Sequence, residues 1–201
     1  MSSKINYEQF KIVLCRTSHP GNIGSTARAI KTMGFTHLTL VNPKQFPHAD
    51  ANALAAGAED ILANATIVSA IEDALKDCHL IIGFTARQRE LSQEHKNIRE
   101  IAKGLKSESQ SKKIALLFGN ETSGLSNDEI KHCQVLGYIN SNANYSSLNL
   151  AQAVQIICYE IRMQLTEGNE IIQLSKENEL VTHEVQNGFY LHLEQLLRSE
   201  E

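Results

Sequence analysis

The chain has no tryptophan, only three prolines, and 5% aromatic residues among its 201. Its 42% hydrophobic content is therefore mostly aliphatic, enough to bury the core of one domain with a short appendage. No apolar run approaches the ~20 residues that span a bilayer, and the N-terminus lacks the basic-then-apolar pattern of a leader. These absences point to a cytoplasmic protein with no membrane partner. The four cysteines, Cys15, Cys78, Cys133 and Cys158, lie far apart without paired spacing. They read as buried thiols in a reducing compartment and argue against a disulfide frame or a zinc site. The eight histidines are scattered, with no His-x-x-x-His, so no metal is expected. A P-loop, a Gly-x-Gly-x-x-Gly turn and a Gly-x-Ser-x-Gly elbow are all missing, which sets aside the common nucleotide-binding loops and a serine hydrolase built on Ser147.

Net charge is −4 but uneven. Residues 166–201 hold two basic and eight acidic side chains, leaving 17 basic and 15 acidic before them. Near the start, Lys4, Lys11, Arg16, Arg28 and Lys31 stand against Glu8, a concentration suited to phosphates. We therefore divide the chain into a main domain over 1–165 and an acidic, partly helical extension over 166–201.

Along the main domain, short apolar runs alternate with helical patterns. Strands are expected over Lys11–Cys15, Thr36–Val41, His79–Phe84, Ile114–Phe118 and Gln134–Ile139. Helices are expected from Ile23 to Gly34, over Asp50–Gly57 and Asp60–Ala63, from a capping box at Ser69–Glu72, over Asn97–Leu105, from a second box at Ser126–Glu129, and through Leu150–Leu165. Gly104–Lys113 reads as an exposed polar loop, and Leu180–Leu197 as weakly helical. Strand–helix alternation predicts an α/β fold with a mostly parallel sheet flanked by helices.

Three polar loops follow strands. The first, His19-Pro20-Gly21-Asn22-Ile23-Gly24-Ser25-Thr26-Ala27-Arg28, is a tight turn into a helix whose backbone N–H groups suit an anion. The second is Gly119-Asn120-Glu121-Thr122-Ser123-Gly124-Leu125. The third, Asn144 to Asn149, brings Ser146, Ser147 and Asn149 to the start of an apolar helix, where unpaired N–H groups suit either a cap or a ligand.

Taken together and in order, these loops resemble the three signature motifs of the SpoU/TrmH family of RNA 2′-O-ribose methyltransferases, in the SPOUT superfamily. The resemblance covers about residues 10–165 and includes Leu40-Val41-Asn42-Pro43 and Tyr159-Glu160. Leu54-Ala55-Ala56-Gly57-Ala58 and Thr85-Ala86-Arg87 are most similar to the TrmJ branch, which methylates tRNA at position 32, the first nucleotide of the anticodon loop.

The resemblance implies a deep C-terminal trefoil knot, a feature that connection rules disfavour, and a homodimer formed through the knot helices. It implies an S-adenosylmethionine pocket at Phe84, Thr85, Ala86, Gly119, Ile139, Ser146, Ser147 and Leu148. It carries reaction roles to Arg28, Ser147, Asn22, Asn149 and Glu121. RNA contacts are expected at Arg16, Arg28 and Lys31 of the basic concentration and at Arg87 and Arg89, which follow a strand's C-terminal end. Two departures stand out: Asn120, where the family commonly has Arg and where a cationic RNA contact is thereby missing, and the absence of the further helical tail usual in the branch. The expected activity is tRNA 2′-O-methylation of cytidine or uridine. The alternatives are methylation of another RNA such as rRNA, or an RNA-binding module that keeps the pocket without turnover.

Overall fold

The computed structural model describes residues 7–86, 94–108, 112–166 and 182–199. The chain divides into two compact units, Met1–Glu167 and Gly168–Glu201. In the first, a 3-10 turn at Tyr7–Gln9 leads into β1 (Phe10–Cys15), α1 (Pro20–Thr32), β2 (His37–Val41), α2 (Ala49–Ala55) and α3 (Glu59–Ala63). Then come β3 (Thr66–Val68), α4 (Ile71–Leu75), β4 (Leu80–Phe84), β5 (His95–Asn97) and α5 (Ile98–Glu108). The unit closes with β6 (Ile114–Phe118), α6 (Asn127–Ile130), β7 (Val135–Tyr138) and α7 (Leu150–Leu165). In the second unit the described element is a single helix, α8 (His183–Ser199).

The seven strands form one sheet in the order β3-β2-β1-β6-β4-β7-β5, and every pairing is parallel. Its centre, β1, β6 and β4, is buried on both faces, which is why these segments read as apolar runs, interrupted only by Lys11 near the start of β1. On one face Ile12, Leu14, Leu116, Phe118 and Ile82 pack against α1, α2, α3, α5 and α7. On the other, Val13, Ala115 and Leu117 pack against α4 and α6. The stripe expected on α7 is present: Val154, Ile157, Cys158 and Ile161 are fully buried, and each such aliphatic side chain contributes about 1.5–3 kcal/mol on leaving water.

Four expectations need correction. Strands β3 and β5 were not anticipated; both are three-residue edge strands, and His95-Lys96-Asn97 carries no apolar residue at all. The box at Ser69–Glu72 does not form, because the N-cap of α4 is Ala70 and Ser69 lies one residue too early to reach N3. By contrast, Ser126 and Glu129 do cap α6 reciprocally. Finally, α5 continues through Glu108, so the polar stretch after Gly104 begins as helix and not as loop.

Candidate cofactor cleft and its supporting loops

The C-terminal ends of β4, β6 and β7 open on a cleft of about 210 Å³. This is where an open parallel sheet presents loops to ligands. All eight residues expected to hold a cofactor line it: Phe84, Thr85, Ala86, Gly119, Ile139, Ser146, Ser147 and Leu148. Phe118, Asn120, Thr122, Ser123, Gly137, Tyr138 and Leu150 line it too and were not anticipated.

The cleft's apolar part follows from strand register. Phe84 and Phe118 are partners across β4 and β6, and their rings stack at 5.2 Å. On its other side Phe84 is paired with Gly137, where a Cβ would fall 2.5 Å from the Phe84 ring. Absence of a side chain at Gly137 therefore makes room for that ring.

The wall formed by 119–124 is a closed turn. Asn120 and Gly124 exchange backbone hydrogen bonds of 3.2 and 2.8 Å. A Cβ on Gly119 would lie 2.1 Å from the Gly124 carbonyl carbon, so the two sides of the turn approach as only glycine permits. The Asn120 side-chain oxygen accepts from the amides of Thr122 at 2.9 Å and Ser123 at 3.3 Å. Its amide nitrogen donates to the Arg16 carbonyl at 2.7 Å. Asn120 is thus the organiser of this turn. The run Gly-Asn-x-Thr-Ser-Gly carried the signal, since Asn commonly closes turns onto amides two and three residues on.

Glu121 joins this turn to the start of α1. One carboxylate oxygen accepts from the Ser18 amide (2.9 Å) and hydroxyl (2.8 Å); the other accepts from the His19 amide (3.1 Å) and Asn22 Nδ2 (3.0 Å). Burial pushes its carboxyl up, but the bonds from Asn22 and Ser18 outweigh that and hold the pKa at about 2. Its negative charge also sits at the positive end of α1, where His19 provides no side-chain cap.

The connection continues to the third loop. Asn22 Oδ1 accepts from Asn149 Nδ2 at 2.9 Å, and Asn149 Oδ1 accepts from the amides of Ala151 and Gln152. Glutamate at one end and helix amides at the other fix both asparagine orientations. Asn149 is the N-cap of α7, and Ser146 and Ser147 lie before the helix, not in its first turn as expected. Ser147 is exposed at the cleft.

The cationic residues divide. Arg28 is exposed on α1, outside the residues lining the cleft. Arg16 and Lys31, expected to meet RNA, are engaged within the protein: Arg16 with Glu129 and Gly124, Lys31 with Asp60 and the Gly57 carbonyl. Arg87 and Arg89 lie outside the described residues. Among the described residues no group of three or more His, Cys, Asp and Glu is placed to hold a metal ion. No described helix is long and apolar enough to cross a membrane.

Known proteins are similar to this chain in sequence and in fold. The tRNA (cytidine/uridine-2′-O-)-methyltransferase TrmJ of Klebsiella pneumoniae is 47% identical over 195 residues, covering 94% of this chain and 79% of its own. The structure of a probable methylase family protein from Haemophilus influenzae superposes with a TM-score of 0.76 at 42% identity, over 96% of this chain and 81% of the other. The SpoU methyltransferase AviRb from Streptomyces viridochromogenes, solved in complex with AdoMet, shares the fold at 23% identity and a TM-score of 0.65, over 80% of this chain and 62% of its own. The model of the SpoU rRNA Methylase family matches residues 9–159, and the chain belongs to that family.

Proposed function

We propose that this chain is an S-adenosylmethionine-dependent methyltransferase acting on a ribose 2′-hydroxyl of tRNA, at cytidine or uridine opening the anticodon loop. The observation that carries the reading is the convergence of all eight expected cofactor residues on one cleft. Its 47% identity to a tRNA 2′-O-methyltransferase supports tRNA over the rRNA of the family's description. The knot is part of this reading. It is supported by the insertion of β7 between β4 and β5 and by the common cleft of the loops after β4, β6 and β7.

The cleft fits the cofactor. The Phe84–Phe118 stack offers an apolar surface, Gly119 lets the backbone approach closely, and the small residues Thr85, Ala86, Ser146 and Ser147 leave room between loops. When bound, S-adenosylmethionine supplies an activated sulfonium methyl group, and the protein's share is to position and polarise the hydroxyl, whose proton leaves to solvent. Ser147, exposed at the cleft, orients the ribose hydroxyl. Arg28 is a charged guanidinium without an acceptor, so it binds the neighbouring phosphate and polarises the hydroxyl instead of taking its proton. Glu121 is fully bonded and stays ionised, which makes it a brace between loops and not a proton carrier.

The reading includes a cytoplasmic homodimer. Opposite its buried stripe, α7 exposes Tyr159 and Met163, with Ile156 half-buried beside them, an apolar face suited to a second copy.

Arg28→Ala separates an enzyme from a binding module. We expect turnover to fall about a hundredfold or more, as for loss of a charge-stabilising donor, with S-adenosylhomocysteine affinity unchanged in calorimetry. Unchanged turnover would contradict the role given to Arg28.

A further inference from the structure

Arg16 follows β1 with φ of 53°, a conformation that a non-glycine residue keeps only where its surroundings hold it. Its N–H donates to the Val41 carbonyl at 2.8 Å, and its own carbonyl accepts from Asn120. Its guanidinium donates to both Glu129 oxygens at 2.8 Å, through Nε and Nη2, and Nη2 also reaches the Gly124 carbonyl at 3.1 Å. One residue therefore holds both ends of the 119–124 turn. Glu129 is 7% exposed and is fixed in turn by the Ser126 amide at 2.6 Å. The Nε–Nη2 edge, one of the two that read a phosphate bidentately, is already occupied, and Nη2 is shared with the other edge.

We propose that Arg16, Asn120 and Glu129 form a latch that presets the 119–124 turn for the cofactor, so that Arg16 is a positioning residue for S-adenosylmethionine and not an RNA contact. The proposal rests on reading the cleft as the cofactor site. A turn held in shape beforehand loses little freedom on binding, and that saving appears as affinity. Asn120 then replaces a cationic contact with an internal one: the tie to Arg16 is made by its amide nitrogen while its oxygen shapes the turn.

Calorimetry with S-adenosylhomocysteine tests this on the full chain. N120D keeps the acceptor for the Thr122 and Ser123 amides and loses the donor, which meets the Arg16 carbonyl at 2.7 Å and Glu121 at 3.3 Å; N120A loses both. N120D should bind roughly tenfold more weakly, the cost of one lost part-buried hydrogen bond, and N120A at least as weakly as N120D. Filling the cleft by Ile139→Trp is the control. R16Q tests the RNA side: the slope of log affinity for tRNA against log salt should match wild type, whereas a phosphate contact would lower it by about one. If I139W weakens binding and N120D does not, the latch is wrong. If I139W leaves binding unchanged, the cleft reading itself fails. A lowered salt slope in R16Q would return Arg16 to the RNA. Should R16Q not fold, N120D against N120A still decides: weakening in N120A alone would assign the effect to the turn and not to Arg16.

Discussion

At Gly119 the cleft depends on a missing methyl group. Any side chain there meets the backbone of Gly124 and Leu125 at 2.1 Å, and backbone cannot rotate away as a side chain can. Gly119→Ala should therefore open the 119–124 turn and weaken S-adenosylhomocysteine binding by about tenfold or more, a loss of at least 1.4 kcal/mol. Calorimetry on the purified variant checks this, and wild-type affinity would mean that the turn is not part of the site. The cleft residues were legible through the family resemblance, whose motifs are contiguous and follow strands. The partners of Arg16 and Lys31 were not, since a cation's partner is set by tertiary placement: Glu129 is 113 residues from Arg16 in sequence. Charge along the chain marked both as RNA contacts; in the fold both keep exposed side chains, 38% and 45%, while their charged ends meet protein partners.

At the scale of elements, the structure joins three loops through carboxylate and amide groups. Glu121 ties the β6 turn to α1, and Asn22 with Asn149 ties α1 to α7. Because the folded Glu121 pKa, about 2, lies below its ordinary value of 4.5, this brace is present above about pH 4.5 and is lost as pH falls toward 2. Glu129 and Asp77, held low by Arg16 and by the Lys11–Lys113 pair, act in the same direction. Thermal unfolding should show a falling midpoint below pH 4.5. Glu121→Gln should be less stable than wild type at pH 7, with the gap narrowing in acid. A gap that is constant between pH 7 and pH 3 would contradict this account. The central strands and α7 were readable from apolar runs and helical spacing because they are buried. Edge strands β3 and β5 escaped because a strand at a sheet margin needs no continuous apolar run.

For the whole molecule, the account predicts two copies meeting on α7. Tyr159 and Met163 are 48% and 45% exposed on the helix face opposite its buried stripe, and aromatic and methionine side chains are those enriched at interfaces. Analytical ultracentrifugation should find a dimer for the wild type and a monomer for Met163→Glu; a monomeric wild type would remove the dimer from the proposal. The family's knot and dimer belong to what the motifs imply and not to what composition or periodicity can show, since threading leaves no local pattern.

The most direct measurement follows the methyl group itself. The purified chain is incubated with unmodified tRNA transcripts and S-adenosylmethionine labelled in its methyl group, and the RNA is then digested to nucleosides. The account predicts label in 2′-O-methylcytidine or 2′-O-methyluridine from the first nucleotide of the anticodon loop. Label on a base, or none with cofactor bound and intact tRNA present, would contradict it.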